Sequence, residues 1–155
     1  MEKIASFTVN HNVLVPGLYL SRRDGEVSTF DLRFKKPNTG DLLTNAQLHS
    51  VEHIIATLLR NSPERDAVIY FGPMGCQTGF YFLFDSRRLT DAEAIALLQR
   101  VFTAGAAYDG PMPGKSAAEC GNYRNLDAAL GRACCAFYAD VIRRWTPEDL
   151  VYPEA

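Results

Sequence analysis

Leu48-His49-Ser50-Val51-Glu52-His53-Ile54 sets two imidazoles four residues apart, with a carboxyl just before the second. On a helix, positions four apart lie on one face, about one turn apart. His49 and His53 would then offer two ring nitrogens to one ion, and imidazole suits Zn, Fe, Co and Ni. Glu52 lies three residues from His49, near the same face, where it could carry protons beside that ion. The plainer alternative is a wet helix face or a hydrogen-bonded histidine pair, because this spacing alone is a weak signal. Two of the chain's 3 histidines fall in this one stretch, with an acid between them, and that favours the metal reading.

H-x-x-E-H is also the pattern of the inverzincin proteases. That chemistry needs a further ligand on another helix and lobes to form a cleft, which 155 residues hardly accommodate. A catalytic metal site commonly uses three protein ligands and keeps one position open. Cys120, in Ala118-Glu119-Cys120-Gly121-Asn122, is a candidate third ligand from a loop, although most such thiols are simply packed away. Cys76 stands between glycines in Gly72-Pro73-Met74-Gly75-Cys76-Gln77-Thr78-Gly79, a turn that would expose a thiol and backbone N–H groups. Such surroundings can activate a thiolate, or they can mean nothing more than a tight turn. Cys134 and Cys135 fall mid-helix among Ala, Phe and Tyr; the two cannot both face inward, so they read as packing or surface residues.

These groups need elements to hold them. The first third of the chain reads as β. Ser6–His11 alternates, and Leu18–Phe34 reads as two strands turning at Asp24-Gly25, a dipeptide suited to a tight hairpin. Phe30, Leu32 and Phe34 would share one face, Asp31 and Arg33 the other. A helix is expected over Asn45–Asn61, capped by Thr44 with Gln47 at the capping-box position and carrying an apolar stripe of Leu48, Val51, Ile55, Leu58 and Leu59. Ala67–Phe71 reads as a buried strand and Phe80–Phe84 as another. A second helix starts after Thr90, with Glu93 three later, and a third is expected over Leu126–Trp145. Pro147 suits the first position of a short final helix. Strands in hairpin pairs followed by helices predict an α+β domain: an antiparallel sheet covered by helices on one face, in a single domain over 1–155.

Composition bounds the partners. Net charge is −2, so nothing advertises a nucleic-acid partner. No apolar run reaches the roughly 18–20 residues of a membrane span. The N-terminus has no long apolar segment and no small-residue cleavage site, so the cytoplasm is the expected compartment and its 4 cysteines are expected to be reduced.

Taken together, His-Ser-Val-Glu-His, Pro-Met-Gly-Cys-Gln-Thr-Gly-Phe-Tyr and Glu-Cys-Gly-Asn-Tyr, in that order, resemble the S-ribosylhomocysteine lyase (LuxS) family. Ser6–Asn12, Phe30–Asn38 and Leu126–Ala129 extend the likeness, which covers most of the chain from about Ser6 to Asp127. The resemblance implies a homodimer with two identical metal sites near the subunit interface. It implies His49, His53 and Cys120 as ligands of one divalent metal per subunit, typically Fe(II), with Zn and Co forms. It implies Glu52 and Cys76 as proton carriers, and Ser6, His11 and Arg33 as substrate contacts serving the partner's site. The implied reaction cleaves the thioether of S-ribosylhomocysteine to homocysteine and 4,5-dihydroxy-2,3-pentanedione, the precursor of autoinducer-2, by successive enolisations and a β-elimination. Each step takes a proton beside a carbonyl, so an electrophile at oxygen and a base at carbon are both required. Two stretches depart from the family pattern. Tyr70 stands where an acidic residue helps hold the substrate, and Val9-Asn10 stands where Leu-Asp is common before His11. A metal-binding regulatory protein on the same scaffold, without turnover, is the alternative that Tyr70 keeps open.

Overall fold

In the computed structural model, which describes residues 1–154, the four strands form one antiparallel sheet. They are β1 (Gly17–Asp24), β2 (Val27–Arg33), β3 (Val68–Pro73) and β4 (Gly79–Asp85), in the order β1-β2-β4-β3. The first hairpin closes through Gly25-Glu26, with Asp24 opposite Val27. Gly25 takes φ +57, the left-handed conformation that the first central position of such a turn requires and glycine adopts freely. Alternation then sorts the sheet. Phe30 and Leu32 of β2, Phe34 just beyond it, and Phe80, Phe82 and Phe84 of β4 point to one face and are fully buried or nearly so.

Three helices cover that face: α1 is a separate short turn (Ala5–Thr8), and α2 (Asn45–Arg60), α3 (Asp91–Ala106) and α4 (Ala128–Val141) form the layer. Aromatic rings knit the layers together. Phe34 stacks on Tyr138 of α4 with centroids 4.2 Å apart, and Phe71 of β3 meets Phe102 of α3 edge-on at 6.4 Å. Thr44 and Thr90 cap α2 and α3 with complete capping boxes through Gln47 and Glu93, as expected. Asp127 caps α4 by accepting from the Leu130 N–H at 3.0 Å, and Pro147 opens a final 3-10 turn (Pro147–Asp149).

Four sequence readings are corrected. Ser6–His11 is not a strand: Ala5–Thr8 is a helical turn closed by the Thr8 hydroxyl on the Ala5 carbonyl at 2.7 Å. Six alternating residues with no sheet partner cannot hold an extended form, and a local hydroxyl bond wins. The third helix ends at Val141 rather than Trp145. β3 is an edge strand, and an irregularity between Val68 and Tyr70 leaves Ile69 and Tyr70 both exposed instead of buried. Cys134 and Cys135 both face inward, because α4 is wedged against α2 and α3 and so buries a wide arc. Burial pushes the Cys135 thiol up to about 12. Among the described residues no helix is long and apolar enough to cross a membrane.

Candidate metal centre and its flanking thiol

The capped helix α2 carries His49 and His53 one turn apart, with ring centroids 4.6 Å from each other. Cys120 comes in from the long loop before α4, and its Sγ lies 3.3 Å from His49 Nε2. The three ligand atoms all fall within 4.8 Å of one another, so the trio could hold one metal ion. The chemistry of the donor set fits: two imidazoles and a thiolate make a three-ligand site with a position to spare.

Outer contacts fix how the rings present themselves. His49 Nδ1 lies 2.6 Å from Asn125 Oδ1, and His53 Nδ1 lies 2.8 Å from the Pro113 carbonyl. Both partners are oxygens that only accept, so each Nδ1 carries the proton and each Nε2 keeps its lone pair for an ion. Gly114 lets the Pro113 carbonyl come this close. It sits at φ +69, and a Cβ there would lie 2.9 Å from His53 Nδ1. The Asn122 N–H donates to the Cys120 sulfur at 3.4 Å. The loop is fastened to α2 as well: buried Ser50 accepts from the Asp127 N–H at 2.8 Å.

Glu52 points with His49 into an open cleft of ≈ 390 Å³ whose far wall is Met74, Gly75 and Gln77. Cys76 does not line that cleft. It is exposed on the other side of the same turn, in a second cleft of ≈ 380 Å³ with His11, Asn38 and Thr78. Arg33 reaches it from the sheet face opposite the core, with Nη1 3.9 Å from the Cys76 sulfur. Although Arg33 is almost fully buried, its side chain is gripped by Asp31 through Nη2 at 2.6 Å and Nε at 3.1 Å. Burial opposes the charge, but the Asp31 carboxylate more than offsets it and holds the guanidinium above its ordinary value. Ser6 lies apart from His11, in a groove with Arg22, Asp24, Tyr70 and Tyr81.

The sequence that builds this geometry has close relatives. A sequence profile of the S-Ribosylhomocysteinase (LuxS) family matches residues 4–148. The chain belongs to the LuxS family. It is 42% identical to the S-ribosylhomocysteine lyase of Finegoldia magna over 158 residues, covering 99% of this chain and 100% of that one. The S-ribosylhomocysteine lyases of Clostridium beijerinckii and Desulfotalea psychrophila are 40% and 42% identical, each alignment covering 99% of both chains.

Within this LuxS chain the residues expected to act on one substrate split into two groups. His49, His53, Cys120 and Glu52 meet on one side of the Met74–Thr78 turn. Cys76, His11 and Arg33 meet on the other. Sequence reasoning missed Asn125, the Pro113 carbonyl and Thr78, whose roles follow from contacts across 60 or more residues in the first two cases. Tyr70 folds its ring across Gly72, into the space a side chain at 72 would fill. Tyr70 in this position therefore fits sterically only with glycine at 72.

Proposed function

We propose that residues 1–155 act as one lyase domain, a cytoplasmic carbon–sulfur lyase that cleaves S-ribosylhomocysteine to homocysteine and 4,5-dihydroxy-2,3-pentanedione. The single observation that carries this reading is the convergence of His49, His53 and Cys120 beside Glu52, in a chain of this family. A divalent ion held by the trio, Fe(II) by preference with Zn or Co as substitutes, would supply a Lewis acid for the substrate's carbonyl and hydroxyl oxygens. His49 and His53 keep their Nε2 lone pairs turned to that position through Asn125 and Pro113. Glu52 shuttles protons at substrate oxygen. Cys76 takes and returns the carbon proton beside the carbonyl, and the last proton it removes sets up expulsion of the homocysteine thiolate.

Because Cys76 and the histidines line opposite sides of one turn, each site is completed across a homodimer. One subunit supplies His49, His53, Cys120 and Glu52. The partner supplies Cys76, with Ser6, His11 and Arg33 contacting substrate. The exposed Ile4, Phe7, Ile69 and Tyr70 suit such an apposition.

The decisive assay is anaerobic. Protein loaded with Fe(II) or Co(II) is given S-ribosylhomocysteine, and free thiol is followed with a chromogenic disulfide. Steady release is expected, absent without metal and absent in Cys76→Ala, which should still bind metal. Bound metal with no release from the unaltered chain would instead point to a metal-binding regulatory protein, with Tyr70 as the obstacle to substrate. The shared site has its own test. Cys76→Ala and His53→Ala subunits, each inactive alone, should regain about a quarter of full activity when mixed, since half of the dimers then hold one intact site. No recovery after verified exchange would return Cys76 to the site of its own chain.

A further inference from the structure

We propose that Asp31 and Tyr152 are positioning residues for Cys76, acting through Arg33 and Thr78. The proposal rests on the reading of Cys76 as a proton carrier, but its test does not require turnover.

Asp31 and Arg33 stand two apart on β2, on the face turned away from the core. Both are nearly inaccessible, at 1% and 3% exposure. A buried ion pair in place of apolar residues contributes little net stability, so its presence is poorly explained by folding alone. Its contacts run in one direction. Tyr152, near the end of the chain, donates its O–H to Asp31 Oδ2 at 2.7 Å. Burial and the Asp31 charge both raise that phenol, so it stays protonated and remains a donor. Asp31 accepts from Arg33 Nε and Nη2, which fixes the plane of the guanidinium. The remaining edge of the fork, Nη1, donates to Thr78 Oγ1 at 2.8 Å.

Arginine has no acceptor, so Thr78 must accept from it. The Thr78 hydroxyl proton is then free to donate to the Cys76 sulfur, 3.1 Å away. Arg33 Nη1 faces the same sulfur at 3.9 Å. Each link is a donor aimed toward the next acceptor, and two of them converge on sulfur. Negative charge developing there meets a hydrogen bond and a fixed cation. Without Asp31 the guanidinium keeps only its Nη1 contacts to Thr78 and Cys76, which do not set its plane. Without Tyr152 the carboxylate loses the contact that sets its own. Tyr19 packs against Tyr152 with ring centroids 5.0 Å apart and holds the tail in place.

The test is the rate at which iodoacetamide alkylates Cys76 in the metal-loaded protein at 25 °C and fixed pH, with the adduct located by peptide mass spectrometry. Arg33→Met and Asp31→Asn should each slow alkylation by roughly tenfold, and Tyr152→Phe by about threefold, the range of couplings between residues in direct contact. In an Arg33→Met background, Tyr152→Phe should have no further effect. Loss of stability alone would not produce that pattern in protein well below its melting temperature. Should Asp31→Asn not fold, Tyr152→Phe decides, since it keeps the ion pair. Unchanged alkylation in folded Tyr152→Phe, or equal slowing with and without Arg33, overturns the proposal. An intact alkylation pattern together with no thiol release from S-ribosylhomocysteine would strike the substrate reading alone.

Discussion

The metal trio depends on two acceptors that never touch the ion. Asn125 Oδ1 and the Pro113 carbonyl each fix one histidine tautomer, and both come from the loop that delivers Cys120. Replacing Asn125 by Ala frees His49 to rotate and to protonate the wrong nitrogen. We expect Asn125→Ala to weaken metal binding by about 10–100-fold, read by competition with a chelating dye, with the melting temperature of the metal-free protein nearly unchanged. Equal affinity in the two proteins would show that Cys120 and the helix alone orient the ring. His11 follows the same logic: its Nδ1 is 2.9 Å from the Val9 carbonyl, so Nδ1 holds the proton and Nε2 is the acceptor it can offer.

At the scale of elements, α2 does two jobs and α3 one. Both begin with a capping box, Thr44 with Gln47 and Thr90 with Glu93. Each cap contributes about 1 kcal/mol, and either threonine-to-alanine change should lower the melting temperature by about 2–4 °C. The two variants should differ in metal affinity. Fraying the start of α2 loosens His49 one turn on, whereas α3 carries no ligand. Thr44→Ala should therefore lose both stability and affinity, and Thr90→Ala stability only. Parallel melts and metal titrations compare them; matching affinity losses would mean the first turn of α2 does not brace His49.

For the whole molecule, the buried acids that stay protonated govern alkaline stability. Burial lifts the Cys135 thiol from 9.0 to about 12, and lifts Tyr138 and Tyr152 well above the ordinary phenol value, helped by Asp31. A folded-state value above the unfolded one means that the native state holds its proton longer. The contribution is complete below pH 9 for Cys135 and is lost as pH rises from about 9 to 12, where the unfolded chain ionises first. The melting temperature should fall steadily above pH 9. In Cys135→Ala that fall should be shallower, although this variant starts less stable because of the cavity it leaves. Identical slopes for the two proteins would remove Cys135 from the account.

Some of this was legible in the chain alone. Helical spacing placed His49, Glu52 and His53 on one face, because α2 is long, capped and strongly amphipathic. Alternation placed Phe30, Leu32 and Phe34 opposite Asp31 and Arg33, because period two is a property of any strand. The capping boxes are local chemistry and needed no tertiary contact. Cys120 was a candidate ligand on type and setting, and only the folded loop shows its sulfur 3.3 Å from His49. Nothing local told that Ser6–Thr8 would turn rather than extend, since a short alternating run is a strand only where a neighbour pairs with it. Nor could it tell that Cys134 and Cys135 are both buried, which depends on how many elements press on α4. The Pro113 and Asn125 acceptors, the separation of Cys76 from the histidines, and the path from Tyr152 through Asp31 to Cys76 are all decided by tertiary structure. Each joins residues far apart in the chain or on opposite sides of one turn, and pairings of that kind are set by packing rather than by spacing.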